Sequence, residues 1–216
     1  MKKANNIVLQ LSSKLVTLFA ALALAGMAGS ASAGNDENEI KFDLVRSGAV
    51  VNAGSNVLPN AHGRVKIESV GPVEIMDVKV WGLPANTDFD FFVIQVPNGP
   101  FGLSWYQGDI ETNRNGVGHG TFIGRFSIET FIVAPGAAPA PTPHSSPPFP
   151  DASMNPQTPP VHTFHLGLWF NDPTDAHNAG LPNTVTPFNG EHNAGLQVLS
   201  TRNFPDDAGP LSMISP

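Results

Sequence analysis

The chain contains no cysteine. That excludes disulfide staples, a thiolate nucleophile, Cys-ligated zinc and iron–sulfur clusters. Stability must then come from apolar burial or from a bound ion. Basic residues are also scarce. Three of the 11 Lys and Arg (Lys2, Lys3 and Lys14) precede residue 34; beyond it 8 basic residues face 18 acidic ones, a formal net charge of −10. Such a balance repels phosphate backbones, and no Lys/Arg cluster is present, so nucleic acid is excluded as a partner. The acidity reads as solubility. Helical periodicity is nearly absent after residue 33. So are a G-x-S-x-G elbow, a phosphate-cradling glycine loop before a helix and a Ser-His-Asp order. No nucleophile nominates itself, which leans the reading away from an enzyme.

Only one long apolar run occurs, Leu15–Ala28, behind three lysines and ahead of Ala31-Ser32-Ala33. Fourteen residues are too few for a spanning helix, which needs about 20. Small residues at 31 and 33 suit signal peptidase. Residues 1–33 are therefore expected to be a signal peptide cleaved after Ala33. A mature chain from Gly34 to Pro216 would be secreted or periplasmic, with no transmembrane segment left. No Cys follows the run to carry a lipid anchor.

What is plentiful is glycine and proline, 21 of each. Ten of the prolines fall in Ala134–Pro160, a segment without apolar periodicity. It reads as an extended insertion between two strands, in preference to a polyproline recognition segment. Elsewhere alternation dominates. Val65 and Ile67 alternate with Arg64, Lys66 and Glu68; Met76, Val78 and Val80 alternate with Asp77 and Lys79. These are half-buried antiparallel strands. Asn113-Arg114-Asn115-Gly116 between Leu103–Thr112 and Val117–Phe126 predicts a hairpin, because Gly tolerates positive φ. Ile128–Val133, Val161–Phe170 and Gly195–Thr201 read as further strands. About eight or nine strands in 183 residues predict one all-β domain, an antiparallel two-sheet sandwich.

The run VKVWGLPANTDFDFFVIQV resembles the E-strand, corner and F-strand of fibronectin type III and related immunoglobulin-like domains, matching at Leu83, Pro84, Asn86 and Thr87. It departs at Phe89, where that family usually has Tyr, so the corner hydroxyl is missing. The resemblance implies an immunoglobulin-like sandwich and carries no function. The segments PNGPFGLSWYQGDIETNRNG and TPFNGEHNAGLQVLSTRNFPDDAGPL resemble stretches of uncharacterised bacterial secreted proteins, which implies secretion and fold only.

Several constellations could carry chemistry. His162 and His165 form H-x-x-H, but residues three apart on a strand point to opposite faces. His162, sharing a face with Phe164 and Leu166, is expected to be partly buried, and His165 to face out or toward the other sheet. The tetrapeptide His-Asn-Ala-Gly occurs at His177–Gly180 and His192–Gly195, with Asp172, Asp175 and Glu191 nearby. Turn formation with solvated imidazoles is the simpler account. The alternative is a Zn²⁺ or Cu²⁺ site using His177, His192, Asp175 and Glu191. Glu111–Gly116 echoes the start of a calcium loop, but Phe122 stands where its bidentate acid belongs, leaving at most a weak ion site at Asp109 and Glu111. Asp88 and Asp90 share a strand face and could pair for acid–base work, or form a solvated edge. Of Trp105 and Tyr106, one must point away from the core, where an aromatic could stack on a sugar; burial of both is the simpler account.

The sequence thus predicts a secreted, non-enzymatic binding or structural protein whose partner is an extracellular ligand or envelope component. A metal-binding protein using the His177/His192 loop is one alternative. A carbohydrate-binding or carbohydrate-active protein using Trp105 and Asp88/Asp90 is the other.

Overall fold

The computed structural model describes residues 38–128, 130–132, 160–186 and 193–214. Among the described residues ten strands run β1 Glu39–Arg46, β2 His62–Val70, β3 Val73–Trp81, β4 Asp88–Ile94, β5 Ser104–Glu111, β6 Gly118–Gly124, β7 Thr130–Ile132, β8 Pro160–His162, β9 His165–Phe170 and β10 Gln197–Ser200. The only α-helices among the described residues are α1 Gly48–Ala53 and α2 Pro173–Asn178. No helix there is long and apolar enough to cross a membrane.

Eight strands form one antiparallel sheet in the order β5-β4-β9-β10-β1-β2-β3-β6. The outermost strands, β5 and β6, are consecutive in sequence and meet at the Thr112–Gly118 bridge, so the sheet curls until its ends nearly close. The two-sheet sandwich expected from strand count is replaced by this continuous ladder. The reason lies in β1, which pairs β2 through Glu39–Leu44 and then β10 through Val45 and Arg46. A strand that changes partner joins what would otherwise be two layers.

Alternation places the core. Val65 and Ile67 on β2, and Met76, Val78 and Val80 on β3, are buried. Ile40, Phe42 and Leu44 show the same period on β1, a strand the sequence reading leaves out. Across the sheet, Phe89, Phe91, Val93, Leu166, Leu168 and Phe170 complete the interior. The expected hairpin is present: Gly116 has φ 68°, and Asn113 Oδ1 accepts from Asn115 N at 2.8 Å. The Pro-rich insertion joins two paired strands, since β7 and β8 are antiparallel neighbours. Apart from Pro160 it lies outside the described residues.

Two expectations need correction. Val161–Phe170 is not one strand; it breaks at Thr163 and Phe164 into β8 and β9. The break reverses the two histidines. His162 is exposed and stacks on Phe164, with ring centroids 4.9 Å apart, whereas His165 is fully buried. The loop after β9 also contains a helix. Asp172 caps α2 by accepting from Thr174 N at 2.6 Å, with Pro173 in the first turn, a start signal present in the sequence.

Candidate functional site

Strands β4 and β9 are buried on both faces, so their outward side chains are covered as well. Outward from β4 project Asp88, Asp90, Phe92 and Ile94. Ladder pairing sets Asp88 opposite Glu111 and Asp90 opposite both Asp109 and Trp169. Four carboxylates thus lie as two facing pairs on the outer side of β4 and β5.

An aromatic row crosses the same face. Tyr106 lies 5.5 Å from Phe92, Phe92 lies 5.4 Å from Trp169, and Trp169 lies 4.9 Å from Phe101, all between ring centroids. Phe92 and Trp169 are buried, while Tyr106 is 48% exposed. The Tyr106 hydroxyl donates to Asp109 Oδ1 at 2.5 Å. Partial burial, then that bond, then the charges of Asp109, Asp90 and Asp88 push the phenol pKa up. It therefore stays protonated at neutral pH and serves as a hydrogen-bonding group. Asn171 Nδ2 donates to Asp88 Oδ2 at 3.3 Å, which orients that carboxylate.

Trp105 and Tyr106 are both exposed, against the simpler account of burial, but they do not form one platform. Tyr106 pairs with outward Phe92, whereas Trp105 pairs with inward Val93. Adjacent strand residues face opposite ways. Asp88 and Asp90 do share a face, yet Asp90 is only 2% exposed.

Of the four metal candidates, His177 and Asp175 are among the described residues. His177 lies in the last turn of α2, is exposed, and donates from Nδ1 to the Leu181 carbonyl at 3.3 Å. Asp175 precedes it by two positions, and helix residues two apart do not face each other. His192 and Glu191 lie outside the described residues. Among the described residues no three His, Asp or Glu side chains gather as a metal site. His165 is held by Thr201 Oγ1 at 2.9 Å and the Pro205 carbonyl at 3.1 Å, and is a core histidine. No protein-family model matches this chain, and no curated protein sequence matches it.

Proposed function

We propose that this is a non-enzymatic binding protein of the extracellular space or cell envelope, exported by residues 1–33, which takes a saccharide on the outer face of β4 and β5. The observation that carries the reading is Tyr106, a half-exposed ring hydrogen-bonded to Asp109, which faces Asp90 across the ladder, with the Asp88–Glu111 pair further along the same face. A sugar offers C–H groups to an aromatic face and hydroxyl donors to carboxylates, and such charge-assisted bonds are stronger than neutral ones. Facing carboxylates repel one another when nothing lies between them, and a polyhydroxylated ligand relieves that repulsion. The corner Leu83-Pro84-Ala85-Asn86-Thr87 favours kinship with immunoglobulin-like sandwiches whose two layers are here joined through β1.

A glycan array probed with the mature protein tests the reading. Tyr106→Ala should abolish binding, and Trp105→Ala, on the opposite face, should leave it intact. Absence of any bound glycan, or loss with Trp105→Ala alone, would refute it. Export is tested separately: the N-terminus of protein recovered from outside the cytoplasm should be Gly34, and a retained Met1 would rule out cleavage.

A further inference from the structure

Asparagine is followed by glycine at three places in the chain, Asn98-Gly99, Asn115-Gly116 and Asn189-Gly190. In such a pair the glycine nitrogen approaches the asparagine carboxamide with no Cβ in its way. The third pair lies outside the described residues. Asn98 and Asn115 are both exposed, yet the backbones that follow them are held very differently.

Asn115-Gly116 is locked. Gly116 N donates to the Asn113 carbonyl at 2.9 Å, and Asn113 Oδ1 accepts from Asn115 N at 2.8 Å and from Val117 N at 3.3 Å. Gly116 is buried, and its carbonyl accepts from Leu83 N at 3.3 Å. Bringing Gly116 N to the Asn115 side chain breaks the hairpin, so reaction there waits on local opening.

Asn98-Gly99 lies at the tip of the β4–β5 connection. The base of that loop is fastened: Gln95 N donates to the Leu103 carbonyl at 2.8 Å, Val96 N to the Phe101 carbonyl at 3.2 Å, and Leu103 N to Gln95 Oε1 at 3.2 Å. Beyond it Asn98, Gly99 and Pro100 are all exposed. Among the described residues neither the Asn98 carboxamide nor the Gly99 N–H makes a hydrogen bond. The carboxamide is free to swing toward a nitrogen whose proton no described carbonyl holds.

We propose that Asn98 is a self-modification site of the folded protein. Gly99 N gives its proton to solvent base and attacks Asn98 Cγ. The N–Cγ bond forms, the Cγ–Nδ2 bond breaks, and the amide leaves as ammonia, taking a proton from water. Water then opens the succinimide at either carbonyl. One opening leaves aspartate at position 98; the other leaves isoaspartate, with the main chain running through the former side-chain carbon. The net change is water in and ammonia out, with no electrons exchanged. Each converted molecule gains one negative charge and keeps its fold, because the bonds that fasten the loop lie outside 97–100. The site is separate from the saccharide face at Tyr106 and does not depend on that reading.

The test incubates the purified mature protein, without ligand, in mildly alkaline buffer, native and in urea. Peptide mapping by mass spectrometry counts Asn, Asp and isoAsp at positions 98 and 115. In the native protein Asn98 should convert at least about tenfold faster than Asn115, a difference of only about 1.4 kcal/mol in barrier. In urea the two rates should converge, since the hairpin is gone. Gly99→Ala should slow Asn98 at least about tenfold and still fold, because a Cβ there meets only the Phe101 ring, at 3.6 Å. Asn113→Ala, which removes two bonds from the hairpin, should speed Asn115 about fivefold. Equal native rates at the two sites would overturn the proposal. So would a ratio that persists in urea, which would assign the difference to sequence neighbours, or an unchanged rate in either folded variant.

Discussion

The hydroxyl of Tyr106 reaches the carboxylate of Asp109, three residues further along the same strand, at 2.5 Å. On a regular strand residues three apart lie on opposite faces. They meet here because β5 carries a bulge: Phe91 pairs with Gly108 but Phe92 with Tyr106, leaving Gln107 as the extra residue. Tyr106 is the only tyrosine in the chain, so ultraviolet difference titration reports it alone. Its midpoint is expected above the ordinary value of about 10. Asp109→Asn should lower it only partway, because burial is the larger cause. A wild-type midpoint at or below the ordinary value would contradict the placement of Tyr106 among these carboxylates.

His165 should make stability fall in mild acid. Burial holds its pKa below the ordinary value, against smaller opposing contributions from Asp206 and Pro205. The unfolded chain therefore takes up a proton first. The neutral imidazole's contribution is fully present above about pH 6.5 and is lost as pH falls below it toward the folded-state pKa. Denaturant midpoints at pH 7.5 and pH 5 should converge more in His165→Phe than in wild type. Identical pH dependence in the two proteins would count against the assignment.

Gly116 and Gly71 separate two costs of adding a side chain. Both have positive φ, 68° and 61°. A Cβ on Gly71 meets nothing within 4 Å, whereas one on Gly116 would stand 2.0 Å from the Leu83 carbonyl oxygen. Gly71→Ala should cost only the left-handed backbone penalty of about 1–2 kcal/mol. Gly116→Ala should cost at least about 1 kcal/mol more, since the hairpin must also move off the β3–β4 corner. Equal costs in urea titrations would mean that the corner and the hairpin are not in contact.

Phe122 bridges the seam where the sheet ends approach. Its ring stacks on Phe91 with centroids 5.1 Å apart and planes 23° apart. Beyond the Thr112–Gly118 bridge no β5–β6 ladder joins these strands among the described residues, so packing replaces hydrogen bonds there. Phe122→Ala should destabilise by about 2–3 kcal/mol, below the usual full-burial cost because the ring is half-buried. Amide exchange should quicken along β6. A loss under about 0.5 kcal/mol would show that the seam is held otherwise, since such a value is ordinary for a surface change.

Much of the local structure was legible in the residues. Alternation on β2 and β3 follows from the strand period of two, and Asn115-Gly116 marks the turn because glycine alone takes that φ cheaply. Asp172-Pro173 at the start of α2 is an equally local signal, a capping side chain followed by proline in the first turn. The candidate site was only half legible. Tyr106 and the shared face of Asp88 and Asp90 could be nominated, but Asn171, Phe92 and Trp169 enter through pairing between β4 and β9, which no local pattern encodes.

By itself the sequence determined that the described domain is all-β, acidic and free of thiol chemistry, because composition and period are local properties. Tertiary structure alone decided which way its aromatics point. Straight alternation from buried Ile110 would turn Tyr106 inward and Trp105 outward; one unpaired residue at Gln107 reverses both. It also decided that the strands form one curling sheet, because β1 exchanges β2 for β10 partway along. Both outcomes depend on which strand a residue meets across the ladder. That partner is far away in sequence and is selected by the packing of the whole core.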